Sequence, residues 1–274
     1  MKFFMAKTAV IKRTALSVLA FALMLSAIPF EPVKAASSIN KQSGKAYAEI
    51  IGRYMQAFET VKNDPKAVEV EYETTSDSYY ALYNGKRMDS VVSFWFVDAV
   101  RYKYYYEMQK SDPESLAYKI TDFNKDGVPE LFVGYGDENG VRIYDLYTFK
   151  KGKAVRLNKD MKYRNAWYAL RKNGIIQEKC SSGAATGETI FHKISKSGKL
   201  TNFIALTWDY QYHAKTKDGR TSSISEAEFN RIWQKYNKPT RTTFYKADSK
   251  AVKLVKTGKF LYKGQKNFNV VTEI

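Results

Sequence analysis

The chain has 274 residues, 44% of them hydrophobic and 15% aromatic, with 45 Lys and Arg against 28 Asp and Glu for a formal charge of +17. A single cysteine, Cys180, excludes an internal disulfide, so a folded domain must rely on its core. The basic excess favours anionic partners, and a lysine-rich surface that only keeps the protein soluble is the plainer reading.

Residues 1–35 read as a signal peptide. Lys2, Lys7, Lys12 and Arg13 form a basic start, residues 15–28 are an apolar run, and Val33-Lys34-Ala35 gives the small-x-small pattern of a cleavage site. The run is shorter than the ~20 residues a spanning helix needs, so no membrane span is expected after cleavage. No cysteine follows it for lipid attachment, and residues 269–274 carry no wall-sorting signal. The expected location is secreted, extracellular or noncovalently associated with the cell wall. Cleavage would leave 239 residues with 40 basic and 27 acidic side chains, a formal +13, and from Ala214 onward the ratio is 14 to 5. Outside a cell, such a field suits an anionic wall polymer or glycan, whereas nucleic acid is a poor fit.

In chain order, Tyr47, Ile50, Ile51, Tyr54, Met55, Phe58 and Val61 recur at three- and four-residue spacing and predict a helix over residues 45–61. Asn63-Asp64-Pro65 ends it. Residues 68–72 alternate as a half-buried strand would. Residues 90–108 are dense in Val, Phe, Trp and Tyr, but their length favours a buried helix, which stops before Ser111-Asp112-Pro113. Beyond Leu116 short strands are predicted over 117–121, 130–135, 142–149, 166–171, 175–180, 189–194 and 201–212. Turn signals lie between them: Glu138-Asn139-Gly140, Lys150-Lys151-Gly152, Lys172-Asn173-Gly174 and Lys196-Ser197-Gly198. A late helix follows, with Ser225-Glu-Ala-Glu228 as capping box, Ile224 and Phe229 as staple, and Phe229, Ile232, Trp233 and Tyr236 as its buried stripe. The expected fold class is α+β: N-terminal helices packed on an antiparallel β-meander, one late amphipathic helix and a basic C-terminal extension. The divisions are 1–35, a helical segment 36–115, the meander with its helix 116–245, and the extension 246–274.

The candidate site lies between the first two meander strands. Asp122-Phe-Asn124-Lys-Asp126-Gly127-Val128-Pro-Glu130 places oxygen side chains at positions 1, 3 and 5, glycine at 6, a carbonyl at 7 and an acid at 9. Calcium is a hard cation that takes six to eight oxygens converging from a tight turn, so Asp122, Asn124, Asp126, the carbonyl of Val128 and Glu130 are the expected Ca2+ ligands. An EF-hand would need a bidentate acid at position 12, where Val133 stands. Asp137, Glu138 and Asp145 are the nearest acids that could complete the shell, although Asp145, set between apolar neighbours in a strand, is also expected to face solvent.

This loop resembles the calcium loops of integrin-type FG-GAP and VCBS-like secreted repeats, in which the positions matching Asp122, Asn124, Asp126, Val128 and Glu130 bind the ion. Together with Ile143-Tyr-Asp145-Leu-Tyr-Thr-Phe149, Asn173-Gly174-Ile-Ile, Ser182-Gly183-Ala-Ala-Thr-Gly187 and Asp218-Gly219-Arg-Thr-Ser-Ser, it is similar to uncharacterised secreted or surface proteins of Gram-positive bacteria. The likeness spans residues 116–236 and implies a calcium-stabilised β-meander. With a single loop, it does not imply a propeller, and it brings no enzymatic activity.

Other chemistry is sparse. Cys180, His192 and His213 are the only Cys and His in the chain; a Cys–His nucleophile is conceivable, but a packed, inert thiol suits the small-residue run after Cys180 better. Ser182 to Gly187 lacks the ending of a phosphate loop and reads as a hairpin turn. Tyr79, Tyr80, Tyr83, Tyr102, Tyr104, Tyr105 and Tyr106 are candidates for a carbohydrate platform or, more simply, for core. The expected function is a noncatalytic, calcium-binding exported domain that interacts with an anionic surface partner; the rival is a secreted hydrolase whose acids meet only in the fold.

Overall fold

A computed structural model describes residues 32–73, 78–106, 115–137, 140–158, 166–181, 186–209 and 213–271. The basic start and apolar run of the signal segment, the stop at Ser111-Asp112-Pro113, Glu138 and Asn139, the turn residues 182–185 and the end of the strand predicted over 201–212 lie outside these. Contacts gather Ile39–Ile274 into one compact unit and Met1–Ser38 into another. Among the described residues no helix is long and apolar enough to cross a membrane.

The first helix, α1, runs Pro32–Asn63, much longer than the amphipathic stretch alone. The predicted stripe is its buried face: Tyr47, Ile51, Tyr54, Phe58 and Val61 are all at most 3% exposed. Asp64 then caps a 3₁₀ turn at Pro65–Ala67. Strands β1 (Val68–Glu73), which matches the strand expected over 68–72, β2 (Ser78–Tyr83) and β3 (Lys86–Arg87) form a small antiparallel sheet within the 36–115 segment, and β2 and β3 depart from its expected helical character. Helix α2 (Phe94–Tyr106) buries Phe94, Trp95, Phe96 and Val97 in succession, which is why its sequence shows no helical stripe.

The remainder builds a twelve-stranded antiparallel sheet. Its strands are β4 (Ser115–Thr121), β5 (Glu130–Asp137), β6 (Gly140–Lys150), β7 (Lys153–Arg156), β8 (Trp167–Arg171), β9 (Ile175–Ser181), β10 (Gly187–Ile194), β11 (Leu200–Trp208), β12 (His213–Lys217), β13 (Arg220–Ser223), β14 (Arg241–Lys246) and β15 (Asn267–Val271). The order is β13-β12-β11-β10-β9-β8-β6-β5-β4-β14-β15, with β7 also paired to β6. Neighbours in sequence are mostly neighbours in space, as a meander requires. The predicted turns at Lys151-Gly152 and Asn173-Gly174 take positive φ at both residues, the geometry that matches strand twist in a two-residue hairpin.

Helix α3 (Glu226–Tyr236) begins where the capping box places it, with the Ser225 hydroxyl accepting from the Glu228 N–H. It covers a second core of Ile175, Phe191, Ile204, Leu206 and Ile232. The main core lies between α1, α2 and the strands around β5 and β6. The segment after Tyr245 is not a free extension. It holds helix α4 (Ser249–Val255), capped by Asp248, and β15, which pairs with β14, while β14 itself pairs with β4. Helices α1 and α4 meet backbone to backbone: a Cβ on Gly44 would stand 2.2 Å from the Val255 carbonyl oxygen.

Candidate metal centre and neighbouring surfaces

Thr121 and Glu130 face each other at the mouth of the β4–β5 connection, so the sheet itself closes the oxygen-rich loop. Inside it Lys125 and Gly127 take positive φ, +60° and +89°. Open space surrounds the missing Cβ of Gly127, so backbone conformation rather than crowding calls for glycine.

The side chains turn inward on their own backbone. Asp122 accepts from the N–H groups of Asp126 (3.1 Å) and Gly127 (3.0 Å), Asn124 Oδ1 from Asp126 (3.0 Å), and Asp126 Oδ1 from Val128 (2.8 Å). Asn124 Nδ2 donates to Asp126 Oδ2 and to the Ser195 carbonyl, both at 2.9 Å, which ties the loop to the β10–β11 turn. The Tyr47 hydroxyl of α1 donates to the Pro129 carbonyl at 2.6 Å, and Phe123 packs edge-on to Phe132. The loop is thus held by a helix, a strand and a neighbouring turn.

Glu130 is the exception to this mutual satisfaction. It is 0% exposed; Oε2 accepts from the Phe123 N–H at 2.8 Å, and Oε1 is buried with no partner among the described residues. Burial pushes its carboxyl up to about 8; the Phe123 N–H pulls the other way, and the negative charges of Asp126 and Asp122 push it further. Burial, then the charges of Glu130 and Asp126, also drive the Tyr47 hydroxyl upward.

Among the described residues no group of three or more His, Cys, Asp or Glu side chains is gathered as a ready metal cluster. The donor set nonetheless fits a hard cation. Each carboxylate oxygen keeps a lone pair beyond the amide it accepts from, all five candidate donors are oxygens, and the unpartnered Glu130 oxygen lacks what a cation supplies. Of the supplementary acids, Asp137 and Asp145 do not join, and Glu138 lies outside the described residues. Asp137 ends β5, roughly 23 Å along the strand from Glu130 at ~3.3 Å per residue. Asp145 does not face solvent: it is 0% exposed and paired with Arg156 Nε at 2.6 Å.

The other polar candidates resolve differently. The buried Cys180 thiol donates to the Glu188 carbonyl, while His192 Nε2 lies 3.0 Å from Glu178 Oε2 and its ring meets Tyr168 edge-on. In the strand register Cys180 faces Glu188, four residues from His192, so the two do not form a nucleophile pair. Tyr79 stacks on Phe94 at 5.0 Å.

Two further surfaces stand out: an aromatic one that the sequence does not announce, and one inside the basic segment 246–274 that it does. Trp208, His213, Phe229, Asn230 and Trp233 line an open hollow of about 260 Å³, with Phe229 and Trp233 nearly parallel and Trp208 edge-on to both. Gly187 makes it possible, because a Cβ there would stand 2.4 Å from the Trp208 indole. These residues come from β11, β12 and α3, and only the pairing of three elements joins them. A hollow of about 520 Å³ is lined by Ser249, Lys250, Lys253, Leu254 and Thr257 on α4 and the turn after it. Lys250, Lys253, Lys256, Lys259, Lys263 and Lys266 are all exposed.

Fold and loop together define an α+β chain built on a twelve-stranded antiparallel sheet that carries one oxygen-rich loop. No protein-family model, curated protein or solved structure matches it.

Proposed function

We propose that this chain is an exported, noncatalytic domain that binds one calcium ion through Asp122, Asn124, Asp126, the Val128 carbonyl and Glu130, and attaches to an anionic wall polymer or other extracellular glycan. The observation that carries the calcium reading is the buried, unpartnered Oε1 of Glu130 beside two further carboxylates. A buried charge without a partner is strongly unfavourable, and a hard divalent cation offsets it while drawing on every other oxygen of the loop. The ion's role is structural: it would fix the β4–β5 loop, and through Tyr47 and Ser195 the middle of α1 and the β10–β11 turn.

Attachment is supported by the six exposed lysines of the C-terminal segment and by the aromatic hollow at Trp208, Phe229 and Trp233, whose ring faces suit the apolar face of a sugar. Among the described residues that line them, neither hollow carries a carboxylate, which favours binding over acid–base hydrolysis. The test is thermal denaturation of metal-free protein with and without calcium. Extracellular calcium modules bind with dissociation constants of about 10⁻⁴ to 10⁻³ M, so millimolar calcium should raise the melting temperature, and Asp122→Ala or Asp126→Ala should remove the gain. A melting temperature indifferent to calcium and chelator rejects the calcium site.

A further inference from the structure

Arg171 ends β8 as a buried cation without a counter-charge among the described residues. The register sets Arg171 opposite Ile175, Ala169 opposite Gln177 and Trp167 opposite Lys179. Side chains alternate along a strand, so all six share one face of the sheet, the face whose Ile175 packs beneath α3. Arg171 is 1% exposed. Its Nε donates to Gln177 Oε1 at 2.7 Å; Gln177 Nε2 donates to the Thr189 hydroxyl at 2.9 Å, and that hydroxyl donates to the Glu178 carbonyl at 2.9 Å. The chain of donors fixes the carboxamide and aims the guanidinium, yet Nη1 and Nη2 have no partner among the described residues.

A second cation shares the face. Lys179 follows Gln177 by two residues on β9, and its ammonium lies 4.9 Å over the Trp167 ring. Burial, and after it the charge of Arg171, pushes this ammonium down to about 8, and burial pushes Arg171 down to about 10. No acidic side chain among the described residues offsets either charge. A buried guanidinium beside a half-buried ammonium, with no acid among the described residues, is costly unless an anion joins them. The free Nη atoms present parallel N–H groups, the geometry that grips two oxygens of an oxyanion. Two cations match the charge of a phosphate better than that of a carboxylate or a halide. Lys179 and Trp167 are half-buried and Arg171 is 1% exposed, so a ligand for both cations would have to be small, no larger at the contact than one phosphate group, and would approach from the Lys179 side.

We propose that Arg171 and Lys179, oriented by Gln177 and flanked by Trp167, form a binding site for a single phosphate group, either free or at the end of a larger molecule. The site is independent of the calcium loop and is tested in chelator. Purified protein is titrated with inorganic phosphate and, separately, with a sugar phosphomonoester, against sodium chloride at matched ionic strength, following thermal denaturation and phosphorus NMR line width. Saturable stabilisation beyond the chloride control is expected. Arg171→Gln should weaken apparent affinity roughly tenfold or more, the effect of losing one charge-assisted, bidentate contact. Lys179→Met, at a half-buried position, should do the same if Arg171→Gln fails to fold. Phosphate binding should also raise the Lys179 ammonium titration seen by NMR. A response to the phosphomonoester supports a chain-borne phosphate, and a response to inorganic phosphate alone supports the free anion. Stabilisation no greater than in chloride, or a phosphate response unchanged in Lys179→Met, overturns the site.

Discussion

Glu130 and Asp145 are both wholly buried carboxylates, on adjacent strands of one sheet, and the chain treats them in opposite ways. Asp145 has a cation of its own, Arg156 on β7 at 2.6 Å, with Asn158 Nδ2 at 3.4 Å. Its Oδ2 makes no hydrogen bond of ordinary geometry, although the hydroxyls of Tyr54 and Ser93 sit near enough to favour the charged form. Burial raises its pKa and Arg156 opposes that rise. Glu130 has no such cation among the described residues. It receives the Phe123 N–H and stands among the like charges of Asp122 and Asp126. The difference lies in the compensation: for Asp145 a cation is built into the fold, whereas Glu130 has none among the described residues and, on the calcium proposal, would take one from solution.

The largest expected effect comes from breaking the satisfied member. Arg156→Met leaves Asp145 buried and uncompensated, which should cost about 3 to 5 kcal/mol in denaturant titration. Asp145→Asn in the same chain should return much of that loss, because the remaining group is neutral. If the double variant is no more stable than Arg156→Met, the pair does not act as a unit and the contrast with Glu130 fails.

Next in size is a steric change far from either acid. Gly44→Ala drives a methyl group into the Val255 carbonyl, a contact that needs helix α1 or α4 to shift. Overpacking of this kind typically costs about 1 to 3 kcal/mol. Because α1 also carries Tyr47 to the loop, the variant should weaken calcium stabilisation as well as the fold. A melting curve unchanged from wild type would mean the two helices part without cost.

The unsatisfied member should show itself in pH dependence. Glu130 has a folded pKa of about 8, above its ordinary 4.5, so the folded state holds a proton that the unfolded state releases earlier. In chelator its contribution is therefore full below about 4.5 and declines as pH rises toward about 8. On the calcium proposal, saturating calcium would take the ionised form and should flatten that decline. Glu130→Gln should flatten it without calcium and lose the calcium gain. An equal slope in wild type and Glu130→Gln would assign the titration to another group.

Local chemistry made part of this readable in advance. The loop is a run of nine residues, the hairpin at Asn173-Gly174 needs only its two φ angles, and the cap at Ser225 spans one turn of helix. What stayed hidden depends on distant pairing. Asp145 looked solvent-facing because alternation was assumed, whereas Tyr144 to Phe149 are buried on both faces of β6. The tail looked like an extension because nothing near Thr242 announces pairing with Val270, or near Tyr245 pairing with Tyr118. Trp208 and Trp233, 25 positions apart, meet only once β11 and α3 are docked, and Arg171 reads as an ordinary strand-end cation until the fold buries it beside Gln177 of β9.

The smallest effect on stability, and the sharpest separation of stability from binding, belongs to charges that are neither buried nor paired by the fold. Lys253, Lys256, Lys259 and Lys263 are exposed, so each ammonium stays hydrated in the folded state. Reversing all four to Glu should change stability by no more than about 0.5 kcal/mol per site. Truncation after Tyr245 would not serve, because it removes β15 and α4 from the fold. Attachment to an anionic polymer should nevertheless fall, and wild-type attachment should weaken as salt rises, since exposed charges act through a screened field. Retained adhesion in the quadruple variant at low salt would clear these lysines of the role and shift attention to the aromatic hollow at Trp208, where Trp233→Ala is the corresponding test.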